Sequence, residues 1–138
     1  SSDLEMMYDS WNSQGLQTVG LRFSNITIPS NAIIVNAYIQ FTADGSSSGN
    51  IDITIKGENN AYSSTFSNTS NNISNRNTTA SNVVWSPSTS WIDNASGLGQ
   101  RTPDLSTVVS EVISSNGWQI GNPITFIITG NGNSSDFR

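Results

Sequence analysis

Four stretches of this chain alternate apolar and polar side chains with a period of two, and that alternation restricts the fold more than any other feature. Val19, Leu21 and Phe23 alternate with Gly20, Arg22 and Ser24. Val35, Ala37, Ile39 and Phe41 alternate with Asn36, Tyr38, Gln40 and Thr42. Ile51, Ile53 and Ile55 alternate with Asp52, Thr54 and Lys56, and Ile124, Phe126 and Ile128 with Thr125, Ile127 and Thr129. Successive side chains of a strand point to opposite faces, so each stretch predicts a strand with one buried face. β-branched and aromatic residues, which suit a pleated surface, dominate all four. Shorter strands are expected at residues 4–8 and 83–85. Turn chemistry separates the segments, at Pro29-Ser30-Asn31, Asp44-Gly45, Gly49-Asn50, Asn122-Pro123 and Asn131-Gly132.

One segment has a different period. Leu105, Val108, Val109, Val112 and Ile113 follow the spacing of an amphipathic helical stripe. Thr102 is the expected N-cap, Pro103 suits the first helical position, and Asn116-Gly117 supplies a stop. The helix, expected around 103–115, would cap one open end of a β core. The chain is therefore expected to be all-β: a single domain over 1–138, an antiparallel β-sandwich (jelly roll) with one short lid helix. Residues 67–82 are almost entirely Ser, Thr and Asn and read as a long surface loop or a sheet edge.

Composition decides which chemistries are open. The chain has 138 residues, no Cys and no His, which excludes disulfides, thiol nucleophiles, imidazole ligands and a Ser-His-Asp triad. Ser, Asn and Thr number 25, 18 and 13, so neutral hydroxyls and amides replace charges at the surface. A net charge of −5 argues against nucleic acid or an anionic membrane as partner. No apolar run approaches the ~18 residues of a membrane span. The chain starts at Ser1 with no signal-like segment, and is read as a mature or trimmed form.

The order of several short motifs resembles a known module. Residues 20–29 read Gly-Leu-Arg-Phe-Ser-Asn-Ile-Thr-Ile-Pro, followed by Ala32-Ile33-Ile34 and by Ala37-Tyr38-Ile39-Gln40-Phe41. Thr102-Pro103-Asp104-Leu105, Gly117-Trp118 and the strand at 124–130 continue the pattern. Together they resemble the secreted bacterial jelly-roll modules of the DNRLRE type, which are similar in fold to carbohydrate-binding modules. The resemblance runs from Ser2 to about Gly132. It implies a non-catalytic extracellular or cell-surface role and supplies no ligand. Modules of this type carry one strand before Ser1 and one after Arg138. Either the sequence is a fragment, or a neighbouring chain fills the gap by strand complementation.

No catalytic constellation is present. A glycosidase needs two carboxylates across a cleft, and nothing pairs Glu5, Glu58 and Glu111. Ser and Thr have no base to activate them, and Lys56 is expected on a solvated face. The chain is read as no enzyme.

Asn-x-Ser/Thr sequons occur at Asn25, Asn68, Asn72, Asn77, Asn94 and Asn133. About five are expected from composition alone, so loop position is the useful guide. Asn68, Asn72, Asn77, Asn94 and Asn133 are the glycosylation candidates. Asn25, in register with Leu21 and Phe23, ranks below them.

Trp85 and Trp118 are expected in the core. Trp11, Trp91 and Tyr62 are the ligand or interface candidates, since a flat ring stacks on a sugar face. Leu4, Met6 and Tyr8 have the period-two spacing of a donor strand, and equally of an intramolecular strand. No cofactor is expected. Calcium is the sole alternative, with Asp44 and Asp93 as loop ligands, although solvated surface carboxylates explain both.

Two functions fit. The first is a glycosylated structural subunit that assembles with itself into a surface fibre or filament. The second is a carbohydrate-binding or adhesion module of a larger secreted protein, with polysaccharide as partner.

Overall fold

The computed structural model describes residues 4–9, 15–87 and 90–131. Eight strands and one α-helix follow in order: β1 (Tyr8–Asp9), β2 (Gly15–Leu16), β3 (Thr18–Phe23), β4 (Ser47–Ser48), β5 (Ile53–Gly57), β6 (Val83–Trp85), β7 (Ser90–Trp91), α1 (Ser106–Ile113) and β8 (Ile124–Gly130). Every strand pair is antiparallel among the described residues. The class is all-β with one short helix.

The main sheet has the order β3-β8-β5-β6. Val19 pairs with Ile128, Leu21 with Phe126 and Phe23 with Ile124. Ile55 pairs with Ile128 and Ile53 with Trp85. Antiparallel partners share a face, so these registers gather the expected inward residues of four strands on one side. Ile53, Ile55 and Ile128 have no exposed surface at all. Burying each stabilises the fold by roughly 1.5–3 kcal/mol before ordering costs.

The helix covers this face with the stripe read from the sequence: Leu105, Val108, Val109, Val112 and Ile113 are all buried. Gly57 lets it approach, since a Cβ there would lie 2.7 Å from Val112 Cγ2. The helix is shorter than expected and starts at Ser106. Thr102 is not its cap. The Thr102 hydroxyl accepts the Ile39 N–H at 3.0 Å, and the Thr102 N–H donates to the Ile39 carbonyl. These bonds hold 102–103 extended. Asp104 supplies the N-terminal acceptor instead, taking the Ser106 N–H at 2.9 Å.

The expected strand at 35–41 survives as an extended segment without a regular ladder. Its partner is the stretch 100–105. Phe41 donates to the Gln100 carbonyl, Leu105 to the Ala37 carbonyl at 2.7 Å, and Gln40 forms an isolated bridge with Arg101. Ala37, Ile39 and Phe41 point inward as expected. Val35 does not and is 86% exposed, because pairing with 100–105 ends at Ala37.

The back of the main sheet holds the largest departure. Ile127 and Thr125, expected at the solvated surface, are 4% and 1% exposed. The chain between Asn59 and Thr79 folds over them. Phe66 and Ile73 lie over Gly20, where an added Cβ would sit 2.7 Å from the Phe66 ring. The low-complexity stretch is therefore partly a cover for the sheet. Residues 4–8 run on their own chain: Met6 and Met7 are buried, and Tyr8 pairs with Leu16.

Candidate functional site

A groove of about 550 Å³ opens on the helix side of the sheet, at the β3 edge. Its floor is apolar. Phe23 and Phe126 meet edge to face with centroids 6.0 Å apart, and Leu105 and Val109 of the helix region complete the base. One wall is the segment carrying Ile26 and Ile28. Ile26 exchanges main-chain bonds with Gly121 and Asn122, and the Trp118 indole N–H donates to the Ile28 carbonyl at 2.8 Å. The other wall is the extended segment 33–39.

That second wall has one bonded and one unbonded edge. Ala37 and Ile39 turn their main-chain groups toward 102–105. The main-chain groups of Ile33, Ile34, Val35, Asn36 and Tyr38 make no hydrogen bond within the described residues. Ile33 and Val35 stand 91% and 86% exposed at the groove mouth, and Tyr38 is half exposed with the Arg101 guanidinium 4.6 Å from its ring centroid. Scattered apolar residues are normal on a surface; a concave apolar cleft beside projecting aliphatic side chains is the less common arrangement and makes this groove the candidate site.

The sequence signals for this groove were indirect. Leu21-Arg22-Phe23 and Ala37-Tyr38-Ile39 were legible as strands, but no candidate residue named before lies in the cleft. A stretch without charge, residues 23–43, was the available clue.

The named candidates fall elsewhere. Trp91, expected as an exposed platform, is 2% exposed. It joins an aromatic cluster in which Trp85 stacks on Phe41 at 5.8 Å and lies 6.3 Å from Trp91. Pairing of β7 with β4 turns the Trp91 ring inward. Tyr62 is 62% exposed, in a turn where its N–H donates to the Asn60 side chain. Trp11 and Asn133 lie outside the described residues.

Asp93 accepts the Gly45 N–H at 3.0 Å and the Asn94 amide at 2.9 Å, which ties its carboxylate to the turn; Asp44 is exposed. Among the described residues there is no group of three or more acidic side chains placed to hold a metal ion.

The sequons separate by environment. Asn68, Asn77 and Asn94 are exposed. The Asn72 Oδ1 accepts the Ser67 N–H at 3.1 Å and Arg76 Nη2 at 3.2 Å, so this side chain is part of the loop's own scaffold. Asn25 is exposed and adopts φ 56°.

The remaining carboxylates with described partners serve the fold. Glu58 pairs with Arg76, and Glu111 accepts the N–H groups of Ala80 and Ser81 at 2.7 and 2.8 Å. The Glu111 carboxyl is held below its usual range, first by the Ser81 N–H. Asp104 is lowered too, first by the Ser106 hydroxyl and then by the Ala37 N–H.

Comparisons of the chain with protein-family models, with curated proteins and with solved structures returned no match.

Proposed function

We propose that this chain is a non-catalytic structural module of the cell exterior that assembles with copies of itself by adding strands at an open edge. The observation that carries the reading is the apolar groove beside the main chain of 33–36, which makes no hydrogen bond among the described residues. An extended segment laid there would satisfy that edge and bury alternate side chains in the cleft, which is the physics of β-augmentation. It would also extend the second layer toward the complete sheet of a jelly roll.

Surface chemistry supports the same reading. Native sheet edges are commonly protected by Lys, Glu or Pro, and residues 30–43 carry none of these. The engaged carboxylates Glu58 and Glu111 agree with a role in binding rather than chemistry. Exposed sequons at Asn68, Asn77 and Asn94 suit a glycosylated exterior. The carbohydrate-binding alternative loses one of its candidate platform residues with the burial of Trp91.

The test is light scattering of the purified chain from micromolar to millimolar concentration, with electron microscopy of the concentrated sample. Mass rising with concentration is the expected outcome. A monomer at every concentration overturns the proposal.

A further inference from the structure

Asn116-Gly117 follows the helix α1, and both residues are exposed. The Asn116 side chain makes no hydrogen bond among the described residues. The turn around the pair fixes what lies next to that amide. The Trp118 N–H donates to the Ser115 carbonyl at 3.0 Å, and Gly117 takes φ 93°. In such a turn the N–H of the third residue lies outside the closing bond. The Gly117 N–H accordingly has no hydrogen-bond partner among the described residues. Space is open as well. Beyond the chain neighbours, a Cβ built on Gly117 would meet only Ala61 Cβ, at 3.7 Å. A free side-chain amide therefore precedes an unbonded, uncrowded main-chain nitrogen in contact with water.

Those are the conditions under which asparagine, a thermolabile residue type, loses its amide. We propose that Asn116-Gly117 is a self-modification site. The Gly117 nitrogen passes its proton to solvent and bonds to Asn116 Cγ. The Cγ–Nδ2 bond breaks, and the amide nitrogen takes up a proton and leaves as ammonia. The cyclic imide so formed then takes up water. Opening at Cγ leaves an aspartyl residue. Opening at the main-chain carbonyl leaves an isoaspartyl linkage, in which the chain runs through the side chain of residue 116.

The place of the pair in the fold gives the reaction a consequence. An isoaspartyl linkage adds a carbon to the backbone just before Gly117 and Trp118. Trp118 is 6% exposed, and its indole N–H donates to the Ile28 carbonyl at 2.8 Å, which anchors one wall of the groove. Lengthening the chain beside it shifts Trp118 and releases that anchor. Modification at Asn116 thus loosens the wall that carries Ile26 and Ile28, whether or not copies of the chain assemble.

The folded chain is held in warm, mildly alkaline buffer and mapped by mass spectrometry of its chymotryptic peptides. Cuts at Trp118 and Phe126 separate Asn116 from the second such pair, Asn131-Gly132. Asn68 and Asn77, exposed and followed by threonine, are the controls. Amide loss at Asn116 should run at least about tenfold faster than at either, because glycine leaves its nitrogen open to attack and a β-branched side chain crowds it. Equal rates would overturn the site.

The second measurement reads the consequence. The isoaspartyl form, separated by chromatography, is compared with the Asn116→Gln chain, which keeps the native linkage. Solvent exchange of the Trp118 indole N–H, followed by NMR, should be at least about tenfold faster in the isoaspartyl form, since the hydrogen bond that protects it is lost. Equal protection in the two chains would overturn the coupling to the groove wall.

Discussion

Arg76 Nη1 stands 2.8 Å from Glu58 Oε2, in an ion pair where each side chain keeps only 9% exposure. Around it, Arg76 also donates to the Ser64 and Thr65 carbonyls and to Asn72, and its guanidinium lies 4.7 Å from the Phe66 ring centroid. Ser63 bonds both Glu58 and Thr125. One arginine thus fastens a polar cover of some twenty residues to the back of the sheet.

Removing either partner strands a buried charge. Arg76→Ala should destabilise the fold by roughly 3–5 kcal/mol. Chemical denaturation measures it. The double variant Arg76→Met with Glu58→Gln should recover part of the loss, since no buried charge remains. Equal losses for single and double variants would contradict this account.

Gly57 is a site of forced closeness between sheet and helix. Gly57→Ala should cost about 1–3 kcal/mol, the range for overpacking a filled core. The paired variant Gly57→Ala with Val112→Ala, which removes the methyl group 2.7 Å from the new Cβ, tests the cause. The glycine substitution should cost less in that background than in the native one.

Trp91 predicts a stability effect without a ligand effect. Trp91→Ala should destabilise by about 3–5 kcal/mol, as large aromatic truncations in a core do. Retention on polysaccharide, measured by affinity electrophoresis under folding conditions, should not change. A stable variant with lost retention would restore the carbohydrate reading.

Acid should loosen the two loop anchors. The carboxyls of Asp104 and Glu111 are both lowered in the folded chain. Their contribution is therefore fully present above the ordinary carboxylate range and is lost as pH falls through their folded values. Thermal melts should show a decline on acidification through that range. Asp104→Asn with Glu111→Gln should melt lower at neutral pH and respond less to acid. Both groups lie near solvent, so the effect is modest and weakens with salt.

In an expression host that glycosylates, peptide mapping should find glycan at Asn68 and Asn77 and none at Asn72. The Asn72 side chain is engaged by Ser67 and Arg76, whereas Asn68 and Asn77 are exposed. A glycan on Asn72 in folded protein would mean that the loop scaffold forms differently.

The local layers were legible before any tertiary contact was known. Alternation in 19–23, 51–55 and 124–128 identified strands and one buried face, because side-chain direction follows from backbone geometry alone. The helical stripe was equally legible, down to Leu105 and Ile113. Tertiary structure decided what covers each face. Ile127 read as solvated because alternation cannot report a loop folding back from forty or more residues away. Trp91 read as exposed because its polar neighbours say nothing of the β4 strand it pairs with. Thr102 read as a cap, but a bond to Ile39, 63 residues distant, claimed its hydroxyl first. The groove belongs to the same class. It exists where pairing of 37–41 with 100–105 stops and leaves the main chain from Ile33 to Asn36 without a hydrogen bond among the described residues. Periodicity records which way a side chain points; only the packed chain decides what, if anything, it meets there.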